Sequence, residues 1–240
     1  MTTREAWERE ARDWIKWSRT PGHDAWYLLL NLPRFLEMLP PPPRLIVDIG
    51  CGEGRLAKEL SGRGYDVVGL DSSSTLISAA GQDPSPVVQA DSARLPLRSA
   101  ITDTVIFFMS LQDMDDPDAA ITEAGRILRP RGQVHIAIVH PMNTAGTFTA
   151  EAPDADFMIA RSYFSERIVD ESIERDGIQM RFIQHHRPLE RYFHALEQAG
   201  LLVRNLRELK ANERLIERAA KSARWTKIPI FLHLTAIKDG

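Results

Sequence analysis

The residues best placed to bind a ligand are glycines and aspartates that follow two apolar runs. The run Leu45–Ile49 contains Asp48 and is followed by glycine at every second position, which are Gly50, Gly52 and Gly54. Glycine lets a turn come close to a ligand, and the helix expected after it presents unpaired N–H groups. A second apolar run, 67–70, ends at Asp71, whose carboxylate can accept hydrogen bonds from ribose hydroxyls. The pattern predicts a nucleoside-binding loop at the end of a buried parallel strand.

The glycine spacing separates two kinds of nucleoside cofactor. A dinucleotide site is typical of G-x-G-x-x-G, whereas this loop is G-x-G-x-G and has Arg55 where the third glycine would stand. A nicotinamide-dependent oxidoreductase is therefore disfavoured and is kept as an alternative. Cys51, between two of the glycines, has no histidine near it in the sequence, so we do not expect a thiol nucleophile.

Further motifs follow in an order that resembles the class I S-adenosylmethionine-dependent methyltransferases of the small-molecule type. They are Gln89-Ala90-Asp91, Ala93–Pro96, the strand-like segment Ile101–Ile106 and Glu123–Gly132, in which Arg131 stands where the family has the first of two glycines. The resemblance is close over about residues 44 to 140. Some nitrogen methyltransferases carry an Asp/Asn-Pro-Pro-Tyr/Phe motif after the fourth strand. Here that place reads Met109–Gln112, so their chemistry is not indicated.

The resemblance implies S-adenosylmethionine as cofactor and assigns parts of its site. Gly50 and Gly52 would flank the methionine moiety, Asp71 would hold the ribose and Asp91 the adenine amino group. The full predicted cofactor set is Asp48, Gly50, Cys51, Gly52, Asp71, Ser72, Asp91, Ser92, Ala93, Met109, Ser110 and Leu111.

For methyl transfer from a sulfonium, the protein has mainly to position the acceptor against the methyl group, because the cofactor carries both the reactive carbon and a good leaving group. Correct placement can contribute about 7 to 11 kcal/mol, and a base helps when the nucleophile is a hydroxyl or a protonated amine. We expect His140 and His186 as candidate bases, with His186 favoured over its neighbour His185. The predicted acceptor-binding set is Trp14, Trp17, Tyr27, Gln112, His140, Arg161, Tyr163 and His186.

Some of these residues have a plainer interpretation. Aromatic residues at helical spacing pack a core more often than they line a pocket. Asp113, Asp115, Asp116 and Asp118 precede a helix, where acids cap its first turn, so we expect capping and no metal site.

The elements that position these residues alternate between strands and helices after residue 44, which predicts an α/β fold. The resemblance further implies a Rossmann-like, mostly parallel sheet of seven strands with the last strand antiparallel. Residues 1–43 are predicted to form a helical lid and a proline linker, and 44–240 the methyltransferase domain. An insert at about 141–187 is long for a connection, and Asp176-Gly177 between two runs predicts an antiparallel flap within it.

The composition of the chain argues against nucleic acid and membranes as partners. The 240 residues carry a formal net charge of -3, which gives no basic footprint for nucleic acid. A single cysteine, no long apolar stretch and a charged opening segment predict a cytoplasmic protein with no membrane span. We therefore expect an enzyme that methylates a small apolar or aromatic acceptor, at oxygen first and otherwise at nitrogen or carbon. The alternative is a regulatory or assembly protein that binds the cofactor without transferring its methyl group.

Overall fold

A computed structural model describes residues 2–175 and 177–239. The strands are β1 Leu45–Ile49, β2 Asp66–Asp71, β3 Val87–Gln89, β4 Thr102–Phe108, β5 Leu128–Val139, β6 Gly146–Phe148, β7 Phe157–Ile159, β8 Arg167–Arg175, β9 Ile178–His186, β10 Leu201–Leu209 and β11 Phe231–Lys238. The helices are α1 Thr3–Arg19, α2 Leu32–Leu36, α3 Arg55–Ser61, α4 Ser74–Ala80, α5 Pro117–Ile127, α6 Pro141–Ala145, α7 Leu189–Gln198 and α8 Glu213–Arg218. Within these residues no helix combines the length and apolar character that a bilayer crossing requires.

Seven strands form one sheet in the order β10-β11-β5-β4-β1-β2-β3. The neighbouring pairs β3–β2, β2–β1, β1–β4 and β4–β5 are parallel. Strand β11 runs antiparallel to both β5 and β10. The predicted Rossmann-like sheet with a reversed last strand is thus confirmed. Because the chain goes to opposite sides of β1 for β2 and β4, a crevice forms at the carboxyl ends of these strands.

Helices cover both faces of the sheet, and the strand alternation explains why. Phe107 of β4 packs into a core with Ile121 of α5 and Leu196 of α7. Its neighbour Ile106 points the other way, into a core that contains Phe35 of α2. Strands buried on both faces read as continuous apolar runs, as these do.

The chain before β1 is helical, as its spacing predicts. A reciprocal capping box between Thr2 and Glu5 starts α1. Further along, a π-helical turn, Tyr27–Asn31, runs on into α2. The side chain of Asp24 accepts a hydrogen bond from the Tyr27 N–H at 3.2 Å and so caps the start of this segment.

The insert after β5 contains the predicted flap. Strands β8 and β9 pair antiparallel from Arg167↔His186 to Arg175↔Ile178. Asp176, predicted in the turn, lies outside the described residues, and Gly177 has φ +71°. A second small sheet, β6 with β7, was not predicted, because each strand has only three residues. Earlier in the chain, Arg131 keeps the left-handed turn of the glycine it replaces, with φ +64°.

Candidate cofactor and acceptor site

The carboxyl edge of the sheet opens into a cavity of about 800 Å³. Its floor is formed by the loops that follow β1, β2, β3 and β4. Its roof is formed by α1 and by the β8–β9 hairpin, which contact each other through Trp17 and Phe182 with ring centroids 5.7 Å apart. All predicted cofactor residues except Leu111 line this cavity.

Two glycines of the loop after β1 serve different purposes. Gly50 has φ +77°, and a Cβ atom there would lie 2.4 Å from Cβ of Ser110. Ser110 in turn donates a hydrogen bond to the carbonyl of Ile49 at 2.6 Å. Gly50 is therefore needed for the close approach of two strand ends. Gly52 has φ +59° and faces the cavity, where the nearest side-chain atom to an added Cβ is Nε1 of Trp14 at 3.6 Å.

Asp71 is held rigidly at the end of β2. One carboxylate oxygen accepts a hydrogen bond from the N–H of Gly52 and the other from the N–H of Ser73, each at 2.9 Å. Burial raises the pKa of Asp71, although these N–H groups oppose the shift. Each oxygen keeps a lone pair, so the fixed carboxylate can also accept hydrogen bonds from two ribose hydroxyls.

Unpaired acids lie beneath the glycine loop. Both carboxylate oxygens of Asp48 are buried without a hydrogen-bond partner, and burial, followed by the charges of Asp71 and Glu53, raises its pKa to about 7. Glu53 accepts a hydrogen bond from Nε1 of Trp14 at 2.8 Å, but its Oε1 has none. The nearest cation, Arg55, is 4.0 Å from Glu53 Oε1 and pairs at 2.9 Å with Asp24.

Buried carboxylate oxygens that lack a hydrogen-bond partner favour a cationic ligand. S-adenosylmethionine fits this donor set, because it has a sulfonium, an ammonium group and a ribose. Asp48, Gly50 and Gly52 would hold its methionine part, and Asp71 its sugar.

The predicted adenine side is in contact with the lid. Oδ1 of Asp91 accepts a hydrogen bond from the N–H of Ala93 at 2.9 Å, and Oδ2 lies 3.1 Å from Nη1 of Arg4. Ser72 and Ser92 line the cavity on the same side. No local sequence pattern predicts a role for Arg4, because its contact depends on how α1 folds back over the sheet.

Four further contacts fix the amino end of the lid. Glu8 accepts hydrogen bonds from the hydroxyls of Ser73 and Thr75, at 2.5 and 2.7 Å, and from that of Ser74. Burial would raise the pKa of Glu8, but these hydrogen bonds lower it below its usual value. The N–H of Thr3 donates to Asp115 at 2.9 Å. The lid is thus attached next to the loop that carries Asp71.

The segment after β4 closes the cavity, but one of its residues that was predicted to bind the cofactor does not line it. Met109 and Gln112 line it, and Met109 has the left-handed φ of +57°, which is strained for a side chain of this size. Leu111 is fully buried in the core and does not reach the cavity. It was predicted as a cofactor residue from its place in the motif, but its side chain points to the α5 side of the sheet.

Neither predicted histidine faces the cavity. His140 caps α6 by accepting the N–H of Met142 at 2.9 Å, and its Nε2 lies 3.0 Å from Glu208. His186 is fully buried, with Nδ1 2.6 Å from the Thr144 hydroxyl and Nε2 2.8 Å from the Tyr163 carbonyl. Both rings are used in structural hydrogen bonds, which corrects the prediction of either residue as a base. Burial also lowers the pKa of both rings.

Two predicted acceptor residues in the insert also lie elsewhere. Arg161 is exposed and does not line the cavity, and the hydroxyl of Tyr163 accepts the N–H of Leu189 at 2.9 Å. Trp14, Trp17, Tyr27 and Gln112 do line it. The lining residues that the sequence analysis missed include Trp7, Trp26, Glu171, Ile173, Arg175, Arg224 and Trp225.

Three of the four aspartates around the start of α5 make structural contacts, and the fourth, Asp113, lines the cavity. Asp116 caps the helix by accepting the N–H of Ala119 at 3.0 Å, as predicted. Asp118 pairs with Arg191, and Asp115 anchors the lid. Nowhere in 2–175 or 177–239 do His, Cys, Asp and Glu side chains form a group that could hold a metal ion.

Comparison with known proteins agrees with this geometry. Residues 47–136 match the model of a methyltransferase domain. The chain is 30% identical over 97 residues to a demethylmenaquinone methyltransferase of Corynebacterium kroppenstedtii, covering 40% of this chain and 42% of the relative. It is 26% identical over 155 residues to a malonyl-[acyl-carrier protein] O-methyltransferase of Methylovorus, covering 59% and 52%. The matches thus span about half the length of these relatives.

One solved structure illustrates the fold. An S-adenosylmethionine dependent methyltransferase from Mesorhizobium loti superposes with a TM-score of 0.71 at 23% identity, covering 86% of this chain and 96% of that one. The matched region, 47–136, begins inside β1 and ends inside β5, so it contains the glycine loop, Asp71 and Asp91. Residues 47–136 thus match a methyltransferase domain, and the fold is that of the S-adenosylmethionine dependent methyltransferase from Mesorhizobium loti.

Proposed function

We propose that this protein transfers a methyl group from S-adenosylmethionine to a small aromatic acceptor. One observation carries the proposal. The part of the cavity around Asp71 is continuous with a part lined by aromatic side chains, called here the tryptophan chamber, which lies under the lid and the flap. The chain has five tryptophans, and all of them line this one cavity: Trp7, Trp14, Trp17, Trp26 and Trp225. Aromatic side chains provide large flat contact areas, which suit a planar acceptor.

In this proposal the protein binds and aims, and the cofactor supplies a methyl group on a positively charged sulfur. Asp71 fixes the ribose, and the acids beneath the glycine loop balance the positive charge. The lid and the flap exclude water from the chamber, and the tryptophans hold the acceptor. Such placement is worth about 7 to 11 kcal/mol of the barrier, so no proton-transferring side chain is required.

The acceptor atom is proposed to be oxygen, on grounds that differ from the sequence-based ones. The two histidines that favoured oxygen do not reach the cavity, and no histidine lines it among the described residues. Support comes instead from the Methylovorus relative, which is named as an O-methyltransferase. Without a histidine base, an acidic hydroxyl such as a phenol, or a carboxylate, is the favoured nucleophile, because it ionises readily.

The proposed partner is this small acceptor, and the cytoplasm stays the proposed location, since one cysteine cannot form an internal disulfide framework.

Calorimetry followed by product analysis tests the proposal. S-adenosylmethionine and S-adenosylhomocysteine are expected to bind, and NADH is not. A panel of phenols and aromatic carboxylates, incubated with the protein and S-adenosylmethionine, is then assayed for S-adenosylhomocysteine release. Cofactor binding without release from any acceptor would favour the non-catalytic alternative. Binding of NADH alone would refute the proposed cofactor.

A further inference from the structure

A second, smaller cavity continues from the acceptor end of the main one. It has a volume of about 320 Å³, and four residues line both cavities: Asn143, Glu171, Arg224 and Trp225. Its outer wall is the segment 146–157 of the insert. Lys221 holds this wall through Glu151 at 2.9 Å, and Lys227 through the carbonyl of Asp154 at 2.6 Å. The second cavity is therefore a built extension of the acceptor chamber.

Glu171 contributes a carboxylate at the junction between the two cavities. Alternation along β8 places Glu171, Ile173 and Arg175 on the cavity side. The Glu171 side chain is open to the cavity, but the protein around it raises its pKa. Among the described residues it has no hydrogen-bond or ion-pair partner. A carboxylate that lines a cavity without a partner can accept hydrogen bonds from a ligand that supplies a donor.

Arg224 contributes the opposite charge at the same junction. Its Nη1 donates to the carbonyl of Ala150 at 2.8 Å, and its guanidinium carbon lies 5.0 Å from the ring centroid of Phe148. These contacts fix the orientation of the guanidinium. Its Nε, however, is buried and has no hydrogen-bond partner. That N–H requires an oxygen acceptor, and a carboxylate would form the strongest such hydrogen bond.

The two charges do not pair with each other, since no salt bridge joins them among the described residues. The Glu171 carboxylate and the Nε–H of Arg224 are the groups left without a partner. An anionic group bound at Arg224 would also lie near Glu171, and a cationic group at Glu171 would lie near Arg224. A group with both a positive and a negative end satisfies both residues at once.

We propose that the acceptor is an aromatic molecule with a zwitterionic tail of the amino acid type, bound with its ring in the tryptophan chamber and its tail between Glu171 and Arg224. The tail ammonium donates to the Glu171 carboxylate, and the tail carboxylate accepts from the Arg224 guanidinium. This inference rests on the proposed function, because it names the acceptor of that same site.

Three probes with one ring and different tails test the proposal. They are L-tyrosine, which is zwitterionic, tyramine, which is cationic, and 3-(4-hydroxyphenyl)propionate, which is anionic. Their binding to the full chain saturated with S-adenosylhomocysteine is measured by calorimetry. The wild-type protein is expected to bind L-tyrosine roughly tenfold more tightly than either of the others, because only L-tyrosine makes both charge-assisted contacts.

Two variants are expected to change the preference in opposite directions. Glu171→Gln removes the contact to the ammonium, so 3-(4-hydroxyphenyl)propionate should bind as tightly as L-tyrosine. Arg224→Gln removes the contact to the carboxylate, so tyramine should bind as tightly as L-tyrosine. Glu174→Gln is the matched control, because Glu174 lies on the opposite face of β8 and lines neither cavity; it should keep the wild-type preference.

Equal affinity of the wild-type protein for all three probes, or no binding of any, overturns the proposal. So does a preference that neither variant changes. If S-adenosylhomocysteine binds normally in these cases, only the zwitterionic acceptor is refuted and the proposed function stands. If S-adenosylhomocysteine itself does not bind, the proposed function fails and this inference fails with it.

Discussion

The floor and the roof of the cavity are built in different ways. On the floor, Asp71 is fixed by the backbone N–H groups of Gly52, in the loop after β1, and of Ser73, in the loop after β2. In the roof, contacts join residues that are far apart in the sequence, such as Thr3 with Asp115 and Arg175 with the carbonyl of His23. The floor is a short-range backbone construction, and the roof is a long-range assembly of side chains.

This difference suggests a division of work. A floor held by its own backbone keeps its shape whether or not the roof is in place, and it suits a cofactor that every turnover shares. A roof held by a few side-chain contacts can open for exchange of ligands, and its lining can specify the acceptor. Changes to the floor should therefore abolish cofactor binding, and changes to the roof should adjust it.

The largest effect is expected from Asp71→Ala on the floor. The variant loses two acceptors for the ribose and leaves the N–H of Gly52 without its partner, so cofactor affinity should fall about 100-fold or more. Calorimetry with S-adenosylhomocysteine measures the loss. Asp66→Ala, at the opposite end of β2, is the control and should bind normally. A loss of less than threefold in Asp71→Ala would show that the floor does not hold the sugar.

Asp48→Asn tests the buried acid of the floor through the pH dependence of stability. The pKa of Asp48 rises from 3.8 to about 7 on folding. The folded state therefore keeps a proton that the unfolded state releases, and wild-type stability falls as the pH rises from about 4 to 7. The variant lacks this penalty. We therefore compare the free energy of unfolding of the variant with that of the wild type at pH 4 and at pH 8. The difference, variant minus wild type, should be larger at pH 8 than at pH 4 by roughly 2 to 4 kcal/mol.

Denaturant unfolding at the two pH values gives this difference directly. Asp103→Asn, at an exposed site of β4, serves as the control and should show no such pH-dependent gain. The same gain in both variants, or none in Asp48→Asn, would contradict the assigned protonation of Asp48.

His186→Ala separates the structural role of that ring from a catalytic one. Removing the ring leaves the Tyr163 carbonyl without its partner and the Thr144 hydroxyl with only its bond to the Pro141 carbonyl, so the free energy of unfolding should fall by about 1 to 3 kcal/mol. Cofactor affinity should stay within twofold, because the ring does not line the cavity. His194→Ala, on the exposed side of α7, is the control. Unchanged stability with weakened cofactor binding would place His186 in the site after all.

The smallest effect is expected from Glu8→Gln in the roof. The variant weakens the hydrogen bonds to Ser73, Ser74 and Thr75 that hold the lid, so S-adenosylhomocysteine should dissociate roughly three- to tenfold faster. Stopped-flow tryptophan fluorescence measures the rate. Asp13→Asn, at an exposed position of α1, should leave the rate unchanged. An effect as large as that of Asp71→Ala would remove the distinction between floor and roof.

The same distinction explains what the sequence could predict. The strands of the seven-stranded sheet and the flap strands could be predicted from the sequence, because apolar runs, glycine spacing and Asp176-Gly177 are local signals. The reversed last strand was implied by the family resemblance. The places of Leu111, His140 and His186 could not. Whether a strand-end residue faces the crevice or the core depends on the packing of α5, α6 and the insert, which no local pattern shows. Glu171 could have been considered from its alternation with Ile173 and Arg175 in the predicted hairpin.

The most direct test is a crystal structure of the full chain with S-adenosylhomocysteine bound. The ribose hydroxyls are expected within hydrogen-bond distance of the Asp71 carboxylate, with the sulfur near Gly50 and Gly52 and directed into the tryptophan chamber. A ligand bound elsewhere, or a sulfur that faces away from the chamber, would contradict both the site and the methyl transfer proposed for it.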